Sequence, residues 1–313
     1  MPNYWKKEEK MVAINKPILI TGGSGHIGLN LLKKVNKLYS PVYLLVRNTE
    51  RRDANGVKLI RADLSNKKEI NKYRDILKKI KIVVHLAAHV PKKKGEDNFN
   101  ICMQVNLTGT MNLVSYLSKG AKFIFASTCE VYGKPMKGRI RETHPLKPTS
   151  YYGLSKLLAE KALGGYCKRK GINLTILRFT SVYGPGEIIN RAIPNFVRNV
   201  IKETSPVIYG DGSDLRDFIY LDDAVNSILA SIKKGKNTVY NIATGSSNSI
   251  KDVAERIIKL SGKDLKIKFK KRKVDKIDLG FDVSRANRDI GYLPKISLNQ
   301  GLKKELMWFN KND

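Results

Sequence analysis

Pro17-Ile18-Leu19-Ile20-Thr21-Gly22-Gly23-Ser24-Gly25-His26-Ile27-Gly28 is a short apolar run that ends in a glycine-rich turn. The run reads as a buried strand. After it Ile27, Leu31, Val35 and Leu38 recur at helical spacing on one face, and Pro41 stops that helix. A second strand is expected at Val42 to Val46. A glycine pattern alone says little; its setting between strand and helix gives it meaning. Gly22, Gly25 and Gly28 then allow a tight turn, close approach of the backbone to a pyrophosphate, and close packing of helix on strand. The diphosphate would rest on the helix N-terminus, beside His26 and Ile27. His26 itself reads as a packing residue. Dinucleotide binding is the expectation.

Downstream residues extend that pocket. A carboxylate at the end of the second strand would hold the adenosine ribose of NAD, but Arg47 stands there, with Asn48, Arg51 and Arg52 close by. Guanidinium suits a 2′-phosphate, so NADP is favoured over NAD. A third strand leads to Asp63 and Leu64, where the carboxylate can accept from an adenine amino group. Asn66 and Glu69 have capping-box spacing. Ile82 to Ala88 is a fourth strand running into a small-residue turn under the cofactor at Ala87, with His85 as a core histidine. Asn106 lies in a long helical pattern through Leu117. Phe123-Ile124-Phe125 is a fifth strand, ending in Ala126-Ser127-Thr128-Cys129-Glu130. Further on, Asp222 or Asp223 can cap a helix with Val225, Ile228, Leu229 and Ile232 inside, and Ser297 to Gln300 opens a last helix.

At 313 residues the chain can bury one large or two interleaved domains, and alternating strand and helix patterns give an α/β class. No apolar run approaches the ~18 residues of a membrane span. Met1 to Lys10 is a charged extension without the apolar core of a secretory signal, and Met11 could itself be a start. Cys102, Cys129 and Cys167 have neither metal nor disulfide spacing, which suits a reducing compartment and a cytoplasmic location. The net charge of +31 would attract anions, yet no aromatic-interleaved basic motif or zinc-finger spacing accompanies it. A lysine-rich surface explains it, and nucleic acid is not the expected partner.

Ser150-Tyr151-Tyr152-Gly153-Leu154-Ser155-Lys156 carries the chemistry. In a helix Tyr152 and Lys156 lie one turn apart on one face. A phenol titrates near pH ~10, while an ammonium ~4 Å away at an effective dielectric of ~20 is worth roughly 4 kcal/mol, about three pKa units. That shift would make Tyr152 a general base. Tyr151 is the weaker candidate, because Ser155 stands four residues on.

Taken together, the glycine turn, Ser127-Thr128, Tyr152-x-x-x-Lys156 and Arg178-Phe179-Thr180-Ser181-Val182-Tyr183-Gly184-Pro185-Gly186 resemble the extended short-chain dehydrogenase/reductases, specifically the NAD-dependent epimerase/dehydratase group. Gly210-Asp211-Gly212, Arg216 to Asp223, Tyr240 to Gly245 and Gly291 to Pro294 extend the likeness nearly to the C-terminus. The resemblance implies a Rossmann doubly wound parallel sheet with helices on both faces, residues 11–180 with 215–243. A smaller mixed α/β substrate domain would comprise 181–214 with 244–313. It implies a homodimer through the helices Asn98 to Leu117 and Tyr152 to Lys168. It also implies a nucleotide-diphosphate sugar substrate, with Tyr152 as acid/base, Lys156 on the phenolate and nicotinamide ribose, and Thr128 on the reacting oxygen. Ser127 would be structural or touch the nicotinamide amide. Arg216 and Arg272 would clamp the diphosphate.

Two positions depart from the family pattern. Ser181 stands where asparagine is usual, and Cys129-Glu130 stands where dehydratases place Asp-Glu. Glu130 could abstract a proton beside a ketone, but its acid partner is missing. The expectation is a C4 epimerase working through a transient 4-keto sugar, with a 4-keto-6-deoxy sugar reductase or a 4,6-dehydratase as alternatives.

Overall fold

The computed structural model describes residues 14–47, 56–92, 95–134, 138–187, 189–272 and 275–312. In chain order the elements are β1 (Ile14–Thr21), α1 (His26–Leu38), β2 (Tyr39–Val46), β3 (Val57–Arg61), α2 (Lys67–Asn71), α3 (Arg74–Leu77) and β4 (Ile82–His85). There follow α4 (Phe99–Cys102), a π-helical turn (Met103–Thr108), α5 (Gly109–Val114), β5 (Lys122–Thr128), α6 (Tyr151–Lys170), β6 (Asn173–Phe179) and β7 (Ser181–Tyr183). The remainder comprises α7 (Ala192–Ile201), β8 (Val207–Tyr209), β9 (Leu215–Tyr220), α8 (Leu221–Lys234), β10 (Thr238–Ile242) and β11 (Ser247–Ser249). Last come α9 (Ile250–Ser261), β12 (Lys268–Lys270), α10 (Ser284–Ile290) and α11 (Leu298–Asn312).

Seven of these strands form a parallel sheet in the order β3-β2-β1-β4-β5-β6-β10. Both faces are covered, which is why β1 is a continuous apolar run rather than an alternating one. Ile18 and Ile20 point to a layer containing Leu31 and Val35 of α1, Ile228 of α8 and Ala286 of α10. Leu19 points the opposite way, into Leu77, Leu113, Phe123 and Leu163. This is the doubly wound Rossmann arrangement, and the strand order reverses between β1 and β4, where such sheets open a crevice.

A smaller mixed sheet, β11-β9-β7, lies in the second lobe beside the pair β12-β8. Its core joins Phe196 and Val197 of α7, Val253 and Ile257 of α9, and Leu302, Leu306 and Phe309 of α11. The two lobes exchange segments less tidily than the linear ranges implied. β9, within 215–243, pairs in the small sheet, while α10, within 244–313, packs on the large one.

Several local expectations shift. β1 starts at Ile14 and β2 at Tyr39, so Pro41 lies inside the second strand, three residues past the helix end. The pattern through Leu117 is not one regular helix, because Met103–Thr108 is π-helical. Neither Asp222 nor Asp223 caps α8; Asp223 accepts from the backbone of Lys295 (3.0 Å) and Ile296 (2.9 Å) instead. Asn66 caps α2, but Glu69 reaches back to the Asp63 amide at 2.7 Å rather than to the Asn66 amide. Ser297 and Gln300 do make a reciprocal box at the start of α11. Met1 to Lys10, Met11, Asn48, Arg51 and Arg52 lie outside the described residues. No described helix is long and apolar enough to cross a membrane.

Candidate active site

The glycine turn begins the site. Gly22 has φ +69°, and a Cβ there would come within 2.6 Å of the Ala87 amide, so only glycine fits. A Cβ on Gly28 would strike the Gly22 carbonyl, so α1 can approach β1 only without one. α1 opens with no side-chain cap and no acidic residue in its first turn, which leaves its N–H groups free for an anion. A cleft of about 850 Å³ runs from this turn across the carboxyl ends of the strands.

Most residues expected at the cofactor share that cleft: Gly22, Gly25, His26, Ile27, Gly28, Arg47, Asp63, Leu64 and Ala87 line it, with Ser127, Thr128, Glu130, Tyr152, Lys156 and Ser181 farther along. His26 sits between the Pro185 carbonyl (3.2 Å) and the Glu187 carboxylate (3.5 Å), tying the turn to the second lobe. Asp63 is turned on itself, accepting from Ser65 N (2.8 Å) and Ser65 Oγ (2.6 Å). His85 is fully buried between the hydroxyls of Thr21 (2.7 Å) and Thr110 (2.8 Å). Burial and then the Lys156 charge lower its pKa to about 3, so it is a neutral core residue.

Asn106 and Arg272 are placed differently from expectation, while Ser127 takes the structural one of its two expected roles. Asn106, fully buried in the π-helical turn, does not line the cleft. It accepts from the His89 amide (2.7 Å) and donates to the His89 carbonyl (3.1 Å) and Ser155 Oγ (2.9 Å), bracing the chain beyond β4 against α6. Ser127 borders the cleft, but its hydroxyl donates to Glu160 at 2.5 Å. Arg272 lines neither chamber. Its guanidinium pairs with Asp214 (2.6 Å) and Asp211 (3.0 Å) and packs over Gly210, so two carboxylates take the place of a diphosphate.

Tyr152 is held by its backbone. Asp97, 55 residues earlier, accepts from the Tyr152 amide (2.8 Å) and also from that of Tyr151 (3.0 Å). Ser150 caps Gly153 (3.0 Å) and donates to Glu130 (2.7 Å). Tyr152 is 8% exposed and lines the cleft together with Thr128. Below it Glu160 and Arg178 form a buried two-point pair, Nη2 to Oε2 at 2.6 Å and Nε to Oε1 at 3.0 Å, which joins α6 to β6. Tyr132 and Asn241 complete that network.

The electrostatics overturn the expected activation of Tyr152 by Lys156. Burial, and then the Glu130 charge, raise the phenol above its ordinary value; Arg191 and Thr128 oppose them, and Lys156 is not among the leading influences. Lys156 Nζ donates to the Ala126 carbonyl at 2.8 Å and lies 4.7 Å from the centre of the Phe125 ring. Its own burial lowers it to about 7, with Glu160 opposing. Desolvation, absent from the two-charge estimate, dominates both groups. Next to them Cys129 is pushed up to about 12 by burial and by Glu130.

A second chamber of about 210 Å³ adjoins the first, lined by Ser181, Arg191, Ala192, Arg216 and Phe218 among others. Arg216 donates to the carbonyls of Leu215 (3.0 Å) and Ile277, with Asp214 3.9 Å away. Arg191 lines both chambers and Asp97 anchors α6; neither was singled out from the sequence. Their neighbours in space are far away in the chain, and only the second lobe's return to the cleft reveals them.

Lysine 156 gives a pH signature. Because its folded pKa lies below the unfolded value, the unfolded chain binds more protons between pH ~7 and ~10, and stability rises with pH there by up to about 1.4 kcal/mol per unit. Cofactor-free protein should therefore gain up to about 2 kcal/mol over Lys156→Met from pH 7 to 9 in urea denaturation; parallel profiles would show the ammonium is not desolvated.

Comparison with known proteins fits this geometry. Residues 18–243 match the NAD dependent epimerase/dehydratase family. A provisionally named UDP-glucose 4-epimerase of Methanocaldococcus jannaschii is 31% identical, over 95% of this chain and 99% of that protein. The human dTDP-D-glucose 4,6-dehydratase is 28% identical, over 95% and 91%. The crystal structure of a Bacillus cereus UDP-glucuronic acid 4-epimerase, in complex with UDP-glucuronic acid and NAD, superposes with a TM-score of 0.83 at 28% identity, covering 95% of this chain and 100% of that one. The chain belongs to the NAD-dependent epimerase/dehydratase family.

Proposed function

We propose that the protein is a nucleotide-sugar 4-epimerase that oxidises the sugar to a bound 4-keto form and reduces it again from the other face. The observation that carries this reading is that Thr128, Tyr152 and Lys156 line one cleft with the glycine turn at its other end. The free N-terminus of α1 and the glycines that admit a close ligand fit a dinucleotide diphosphate. A bound nicotinamide dinucleotide supplies the two-electron acceptor and donor. Tyr152 takes the proton from the sugar hydroxyl and later returns it. Thr128 holds the same oxygen, and Lys156 supplies positive charge beneath the phenol.

Cys129 favours epimerase over dehydratase. Elimination needs an acid to protonate the departing hydroxyl, and a buried thiol pushed up to about 12 is a poor one. Glu130 is reachable from solvent and could still act as a base, which leaves the dehydratase as the second reading. Arg47, at the end of β2 and on the cleft wall, supports NADP. A homodimer through α4 and α6 belongs to the same reading, because Phe99, Ile101, Tyr151 and Leu158 are exposed apolar side chains on those helices.

Tyr152→Phe should reduce epimerisation of a nucleotide sugar at least ~1,000-fold while cofactor stays bound, and near-normal turnover would refute the assignment of the base. Mass spectrometry of that retained cofactor should read NADP; NAD would remove the role given to Arg47. Light scattering should give twice the chain mass, against a single chain if the apolar face is not an interface.

A further inference from the structure

Arginine 191 stands out among the charged groups at the substrate end. It precedes α7, lines both chambers, and is half-buried. Among the described residues its guanidinium has neither a hydrogen bond nor an ion pair, although the other arginines considered for the substrate, Arg216 and Arg272, are both engaged. A half-buried guanidinium with no hydrogen-bonded partner is costly unless something arrives to pair with it.

The carboxylates it faces are committed elsewhere. Glu187 accepts from the Ile189 amide at 2.9 Å and sits beside His26 at 3.5 Å. Glu130 accepts from Ser150 at 2.7 Å. The field of Arg191 is felt at Tyr152, Cys129 and Glu130, all at the reacting end. The field of Arg216 also reaches Cys129 but is not among the leading influences on Tyr152 or Glu130, and that residue lines only the second chamber. Of these two arginines, Arg191 is the one that lines the chamber holding Thr128, Tyr152 and Lys156.

Resting on the epimerase reading, we propose that Arg191 is a specificity residue that pairs with a carboxylate on the sugar ring of the substrate, so that the preferred substrates are nucleotide-linked acidic sugars. The guanidinium fork would take both carboxylate oxygens, which a neutral hydroxymethyl group cannot replace.

The test is calorimetric binding of UDP-glucuronic acid, UDP-glucose and UDP to wild type, Arg191→Gln and Arg191→Lys, with thermal melting to verify folding. Arg191→Gln should weaken UDP-glucuronic acid by roughly 10- to 100-fold, the range of a lost charge-assisted contact, and change UDP-glucose and UDP less than about twofold. Arg191→Lys should recover part of the loss. Equal weakening of all three ligands would assign the guanidinium to the diphosphate and overturn the proposal. So would unchanged binding of ligands that the wild type holds, leaving the nucleotide-sugar reading intact. If wild type binds none of the three, the nucleotide-sugar reading fails first, and the acidic-sugar proposal with it.

Discussion

A buried ammonium governs the centre of this molecule. Lys156 lies 2% exposed, its charge answered by the Ala126 carbonyl and the face of Phe125 rather than by a carboxylate. That arrangement ties α6 to β5 at the point where both reach the cleft. It also leaves Tyr152, one helical turn earlier, protonated by default. A fixed charge ~4 Å from a phenol is worth several kcal/mol in a two-body estimate, yet removing both groups from water has the opposite sign and a comparable size. In this site the second effect prevails, so the pair is placed for catalysis before it is charged for it.

The fold accounts for why these groups meet. The order of the parallel strands reverses between β1 and β4, and the glycine turn, β5 and the start of α6 converge on the resulting crevice. The second lobe closes the remaining side, because β7 and α7 follow β6 directly and carry Ser181 and Arg191 to the cleft. The Glu160–Arg178 pair fixes α6 on β6 from below. Removing one partner of such a pair leaves a buried charge, whereas the intact pair adds rigidity more than net stability. Rigidity is what holding Tyr152 and Thr128 on one reacting oxygen requires.

Much of this was legible in the chain. The β1–glycine turn–α1 unit is written in local signals: an apolar run, glycines where no Cβ fits, and a helical repeat of Ile27, Leu31 and Val35. Tyr152 and Lys156 are legible for the same reason, since helical spacing alone puts them on one face. What could not be read depends on partners distant in sequence. Asp97 becomes a helix anchor only because the segment before α4 folds over the start of α6. Arg272 reads as a phosphate ligand until Asp211 and Asp214, about sixty residues earlier, are found against it. Asn106 reads as a cofactor contact until the π-helical turn directs it into the protein. Pro41 reads as a helix stop, and tertiary pairing with β1 instead makes it part of a strand.

The central claim is that Tyr152 keeps its proton in the cofactor-free protein and becomes a base only when the cleft is filled. Ultraviolet difference titration of wild type against Tyr152→Phe isolates that one phenol. The account predicts no phenolate from Tyr152 below pH ~10 without cofactor, and an ionisation moved toward neutrality once oxidised cofactor is bound. A phenolate titrating near neutral pH in the cofactor-free protein would contradict it.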